Sequence, residues 1–203
     1  MNILGLSCVG NNAFIYVKKD DVLDFVVLDQ VNKVSESLLK NIDKLICDNN
    51  LNLKNIDVLA CCVGPGSFTG IRIGIATIKA LLIANPSIKC VAFNSFEPYL
   101  KYVKDGSVYL PCTKTSLYKC EVNNNNISNI TVISNNLNFS ENDYFVEFVP
   151  EGLENKVLKF NVNDYVKLVN NKIDNNEFVL ENELVPSYYC ESQAEKNLKN
   201  EHK

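Results

Sequence analysis

The sequence predicts an α/β protein in two parts, a first lobe over residues 1–104 and a smaller second lobe over 105–203. Three observations lead there. Residues 58–63 carry no charge and end at Gly64-Pro65-Gly66, the pattern of a strand covered on both faces. The chain then switches to helical spacing, with Ile71, Ile75, Ile78 and Leu82 on one stripe, and returns to an apolar strand at 89–93, so the two strands read as parallel through a helical crossover. Past Gly106 the composition becomes Asn-rich and the strand patterns weaken.

Residues 3–8, 13–17 and 22–28 read as three strands separated by Gly10-Asn11-Asn12 and by Lys18-Lys19-Asp20-Asp21, connections short enough for an antiparallel meander. Over 35–47 the residues Leu38, Leu39, Ile42, Leu45 and Ile46 recur at helical spacing, with Ser35 as the expected N-cap. After the 58–63 strand, Ser67 or Thr69 can cap the second helix by accepting a hydrogen bond from an orphan N–H. Gly70, Gly74 and Ala76 flank the first two turns of that helix and let another backbone come close, although Gly74 costs about 1 kcal/mol relative to Ala. A third helix is expected over about 95–103. In the second lobe, strands are expected at 107–112, 117–122, 130–134, 143–148 and 157–160, the run of Asn at 123–126 as a turn with left-handed residues, and a final helix at 191–199 returning to the first lobe. The order β-β-β-α-β-α-β-α resembles the ribonuclease-H-like half of the actin/sugar-kinase/Hsp70 superfamily, here followed by a degenerate second lobe.

Composition excludes several classes. At 203 residues and 46% hydrophobic the chain can bury a sizeable core. A net charge of −4 gives no electrostatic basis for holding a polyanion unaided. No basic leader and no run of ~18 apolar residues is present, so a cytoplasmic protein is expected, with no membrane partner. The eight cysteines contain no C-x-x-C pair and lie mostly in apolar runs, so they read as reduced core residues. The only histidine, His202, sits in the terminal Lys/Asn/Glu tail, so no Ser-His-Asp, Cys-His or histidine metal site can be assembled on an ordered scaffold.

The glycine loop at a helix N-terminus suggests phosphate binding, but a Walker register puts Thr69 and Gly70 where Gly and Lys should stand, and a dinucleotide loop needs glycine at Thr69. A tight turn with a capped helix, a phosphate site and a contact surface remain as readings. Phe68 fits either a core plug or an exposed anchor.

Gly64-Pro-Gly-Ser-Phe-Thr-Gly-Ile-Arg-Ile-Gly74 resembles the signature of the TsaB (YeaZ) family, scaffold subunits in the bacterial machinery that makes N6-threonylcarbamoyladenosine in tRNA. Ser35-Glu36, Asn94-Ser95-Phe96 and Pro186-Ser-Tyr-Tyr-Cys-Glu-Ser-Gln-Ala194-Glu195 add weaker matches in the right order. Where nucleotide-binding members of the superfamily end the first strand on Asp, this chain has Ser7, and a second family element with carboxylates corresponds to Cys112-Thr113-Lys114. Loss of both acids leaves no candidate for phosphoryl transfer, which needs carboxylates to hold the metal.

The resemblance implies a non-catalytic subunit that binds and activates TsaD, the catalytic paralogue of the same fold, in a complex with the ATPase TsaE. A homodimer through the same surface is a further expectation, and tRNA is met only through the complex. No catalytic, cofactor or metal residues are expected. The partner surface implied by the family is the first two helices, here Ser35, Leu38, Leu39, Ile42, Ser67, Phe68, Thr69, Gly70, Arg72, Ile73, Gly74 and Thr77. The alternatives are a small ATP-dependent kinase or ATPase of the superfamily, or a glycoprotease-like hydrolase.

Overall fold

The computed structural model describes residues 1–10, 12–28, 34–136, 138–148 and 150–190. The first sheet has five strands, β1 (Asn2–Ser7), β2 (Phe14–Lys19), β3 (Val22–Val27), β4 (Val58–Cys62) and β5 (Lys89–Phe93), in the order β3-β2-β1-β4-β5. The first three form the antiparallel meander, and β4 pairs parallel with β1 on one side and β5 on the other. The crossovers run through α1 (Val34–Asp48) and α2 (Phe68–Ala84). This is the ribonuclease-H-like arrangement that the sequence predicts.

Strand alternation puts Leu4 and Leu6 on one face of β1 and Gly5 and Ser7 on the other. α2 covers the Leu6 face: a Cβ added to Gly74 would stand 3.1 Å from Leu6 Cδ1. α1 buries Val34, Leu38, Ile42 and Leu45, one helical stripe, beside it. The opposite face belongs to α3 (Val162–Asp174), whose Tyr165 ring lies 4.7 Å from that of Phe14 and 5.9 Å from that of Phe93. With helices on both sides, β4 is buried at every position, as its lack of charge requires.

Nothing in the expected element list corresponds to α3. Its core residues Val162, Tyr165, Val166 and Val169 do follow helical spacing, but they alternate with Asn and Asp, weak helix formers that read as loop. The Asn161 side chain caps the helix, accepting from Asn163 N at 3.0 Å. Other boundaries also shift. Ser35 lies inside α1, which begins one residue earlier, so it is not the cap. The expected helix at 95–103 is a six-residue 3₁₀ turn, Glu97–Tyr102, with Pro98 unable to donate to a longer ladder. The 157–160 strand reduces to one parallel bridge between Val157 and Phe145. The expected helix at 191–199 lies outside the described residues.

The second sheet comprises β6 (Gly106–Thr113), β7 (Ser116–Asn123), β8 (Asn126–Ser134) and β9 (Asp143–Phe145), ordered β8-β7-β6-β9. Asn124 and Asn125 make the β7–β8 turn with φ of 50° and 59°, the left-handed pair a two-residue hairpin needs. The tip is anchored to the end of the 3₁₀ turn. Asn125 N donates to Lys104 O at 2.8 Å, and Asn125 Nδ2 donates to Leu100 O and Val103 O at 3.0 and 3.1 Å. Val108, Leu110, Tyr118, Cys120 and Val122 pack under Phe96, Tyr99 and Val103 on one face of this sheet. Cys8, Cys61, Cys62, Cys90 and Cys120 are buried as expected, whereas Cys47 is exposed and Cys112 and Cys190 are half-buried. Among the described residues no helix is long and apolar enough to cross a membrane.

Candidate functional site

The loop from β4 to α2 is held by its own chain. Ser67 N donates to Val9 O at 2.9 Å, and Ser95 N and Oγ donate to Gly64 O and Pro65 O at 2.9 and 2.6 Å. Ser67 is the N-cap, its Oγ accepting from Gly70 N at 3.2 Å. Two amides that a phosphate cradle would use, those of Ser67 and Gly70, are therefore committed to the protein, which favours the capped turn. A Cβ on Gly70 would run into the Cys8 carbonyl oxygen, so this glycine lets α2 start against the chain that leaves β1.

The twelve residues of the expected partner surface separate into two groups. Leu38 and Ile42 are buried on the stripe of α1 that faces the sheet, and Gly70 and Gly74 are buried on the matching stripe of α2. The close approaches that Gly70 and Gly74 permit are made to Leu6 and Cys8 of this chain, and Leu38 packs in the core, so these three do not present a surface. Ser35, Leu39, Thr69 and Arg72 are exposed, and Ser67, Phe68, Ile73 and Thr77 are half-buried. Leu39 is 61% exposed and Ile83, on the outer face of α2, is 72% exposed. Between the helices runs a groove of about 310 Å³ lined by Leu39, Ile42, Ile46, Cys47 and Leu81.

Phe68 is neither a core plug nor an open anchor. Its ring stacks on Tyr188 with centroids 4.6 Å apart, and Arg72 Nε donates to Tyr188 OH at 2.9 Å with its guanidinium 5.7 Å from the ring centre. The backbone holds this strap in place through Ser187 N, which donates to Val63 O at 2.8 Å. The structure thus brings the Pro186-Ser-Tyr-Tyr segment onto the glycine loop, two motifs far apart in sequence. Tyr188 is the contact residue that sequence reasoning missed; its motif was visible, its docking position was not.

Ser7 ends β1 in a cleft between the lobes, also lined by Ser95, Tyr99, Glu147 and Tyr165. The free volume is about 30 Å³, whereas sites for small organic ligands run from about 300 Å³ upward. The 3₁₀ turn and α3 meet across it, with the hydroxyls of Tyr99 and Tyr165 3.1 Å apart. Burial pushes both tyrosines up, and burial raises the Cys62 thiol against its hydrogen bond with Ser95, whose Oγ lies 3.3 Å from its sulfur. These groups stay protonated at neutral pH, so the cleft offers no thiolate or phenolate nucleophile. Glu147 is one carboxylate here that the sequence did not single out. Among the described residues no three His, Cys, Asp or Glu side chains gather as metal ligands.

YeaZ from Pseudomonas aeruginosa superposes with a TM-score of 0.70, covering 92% of this chain and 99% of that one at 14% identity. The fold is that of YeaZ. A second Pseudomonas aeruginosa protein, described as uncharacterized with similarity to peptidase YeaZ, gives a TM-score of 0.74 over 93% of this chain and 99% of its own, again at 14% identity. Residues 29–112, which include the glycine loop and α2, match the family model described as TsaD: tRNA N6-adenosine threonylcarbamoyltransferase. Two uncharacterized mycoplasma proteins are similar in sequence. MG208 of Mycoplasma genitalium is 26% identical over 124 residues, and its Mycoplasma pneumoniae homologue 27% identical over 85. The matches cover 61% and 42% of this chain, and the chain spans 62% and 43% of those proteins' length, less than two thirds in each case. The glycine-loop signature resembles that of the TsaB (YeaZ) family, and the fold is shared with YeaZ.

Proposed function

We propose that this chain is a non-catalytic, TsaB-type subunit that binds a TsaD-like transferase and activates it for N6-threonylcarbamoyladenosine modification of tRNA. One observation carries the docking surface. The outer faces of α1 and α2 leave large apolar side chains out of the core, Leu39 at 61% exposure beside a mainly apolar groove between the helices, and Ile83 at 72% exposure further along α2. Such anchors flanked by small residues suit a helical partner. The docking residues are then Ser35, Leu39, Thr69, Arg72, Ile73 and Thr77, with Ser67 and Phe68 at the edge under Tyr188. A cleft with Ser7 at the strand end and space for little more than water supports assigning the chemistry to the partner. The complex would include a TsaE-like ATPase, and the same helical face would serve a homodimer when the transferase is absent. Transfer RNA would reach this acidic chain only through the complex, in the cytoplasm.

Size-exclusion chromatography with the TsaD-like protein of the same organism, followed by reconstituted tRNA modification, tests the reading. Co-elution, its loss in Leu39→Asp, and dependence of modification on the chain are expected. Full modification without the chain, or co-elution untouched by Leu39→Asp, would overturn it.

A further inference from the structure

We infer that Cys112 and Cys190 form a thiol–disulfide site, whose closure ties the C-terminal strap covalently to the second sheet. The two sulfurs lie 3.5 Å apart although the residues are 78 apart in sequence. Side-chain rotation closing about 1.5 Å brings them to bonding distance. Cys112 sits on β6 of the second sheet, and Cys190 ends the strap that carries Ser187 and Tyr188 over the glycine loop. Tyr118 OH lies 3.2 Å from Cys190 Sγ and 3.5 Å from Gly66 O, so one hydroxyl joins the thiol pair, the second sheet and the glycine loop.

The other cysteines do not compete on geometry. Cys61 and Cys62 are neighbours on β4, are buried, and point to opposite faces of the sheet. Cys8 and Cys90 are buried in the first core, Cys120 in the second, and Cys47 is exposed on α1. Cys112 and Cys190 are both partly open to solvent and in mutual contact.

The oxidant is a low-molecular-weight disulfide such as oxidised glutathione. One thiol of the pair loses its proton and attacks a reagent sulfur, which forms a mixed disulfide and releases one small thiolate. The second protein thiol, deprotonated in its turn, attacks its neighbour's own Sγ in that mixed disulfide; the Cys112–Cys190 bond forms and the second small thiolate leaves. The protein pair gives up two electrons and two protons, and the reagent becomes two thiols. Closing so long a loop restricts the unfolded chain, and it fixes the strap at Cys190 while Leu184 already anchors it in the first core. The inference does not depend on what docks on α1 and α2.

Titration of the full-length chain with oxidised glutathione, read by intact mass, peptide mapping and thermal melting, tests it. The expected result is loss of two of the eight thiols, a mass lower by two hydrogens, a single linked peptide pair containing Cys112 and Cys190, and a melting point higher by roughly 5–10 °C that returns on reduction. Cys112→Ser and Cys190→Ser should each lose that gain and instead hold a glutathione adduct on the remaining thiol. Overturning results are a different pairing, a Cys47-linked dimer as the main product, or stable glutathione adducts in the wild-type chain with no internal bond. The peptide map of the wild-type chain decides the point even if a serine variant folds poorly.

Discussion

The two sheets solve the same packing problem to different degrees. β4 lies between β1 and β5 in the first sheet, has helices on both faces and is buried throughout, while β8 at the edge of the second is mostly exposed. β4 therefore carries no polar residue, and β8 can carry Asn, Ser and Thr at five of its nine positions. The difference teaches where a substitution should matter: β4 has no exposed side to give way, and the edge strand β8 has one.

The largest expected effect tests that contrast directly. Gly74→Arg places a long cation between α2 and Leu6, where even a Cβ is tight, and should cost more than about 4 kcal/mol, leaving no cooperative melt by circular dichroism. Thr131→Arg on exposed β8 should melt within about 2 °C of the parent. A folded Gly74→Arg chain would mean that α2 can lift from its sheet.

Alkaline pH should strike the first sheet next. Burial pushes Cys8 and Cys90 up to about 12, with the neighbouring Cys62 a smaller push on Cys8, and burial raises Cys61 and Cys62 as well. Their unfolded value is near 8.5, so above that pH the unfolded chain sheds protons that the folded chain keeps. The stability these thiols contribute is whole below about pH 8.5 and is lost as the pH rises towards their folded values, by about 1.4 kcal/mol per thiol per pH unit. Urea midpoints measured from pH 7 to 10.5 should fall steeply only in the upper part of that range, and Cys90→Ser should flatten the fall. A flat profile would show that these sulfurs are solvated.

Asn125→Ala sharpens the picture of the second sheet. It removes two hydrogen bonds and puts a side chain disfavoured at φ 59° into the hairpin tip, at an expected cost of about 1–2 kcal/mol by denaturant unfolding. Asn125→Gly keeps the backbone conformation and should lose less. The smallest effect is expected at Arg72→Ala, below about 1 kcal/mol in the isolated chain, since its bond to Tyr188 is at the surface. A larger loss there would make the strap a structural element of the first lobe.

Much of the first sheet was legible because its signals are local. An uncharged strand, a glycine turn and a capped helix follow one another in 58–84, and the meander follows from three apolar runs with short turns. The Asn run was legible as a turn for the same reason, since both left-handed residues lie within it. The candidate site was less so. Leu38 and Leu39 are adjacent and equally apolar, yet one is 1% and the other 61% exposed, and only the direction of the sheet decides which. Gly74 announces a close approach without naming its neighbour, and the neighbour is Leu6. The contact of Tyr188 with Arg72 spans 116 residues, a distance no periodicity reaches. α3 was hidden by its own composition, a helix held by packing more than by propensity.

The position of α3 bears on the order in which the chain can mature. A nascent chain that has emerged only as far as the 3₁₀ turn holds all five strands and both crossover helices of the first sheet, but the face carrying Phe14 and Phe93 waits for Tyr165. Val179, which bridges to Cys90 at the sheet edge, comes later still. Until then one layer of the sandwich is bare aromatic surface, and a ribosome that stalls before residue 162 would display a species prone to association and a natural client for chaperones.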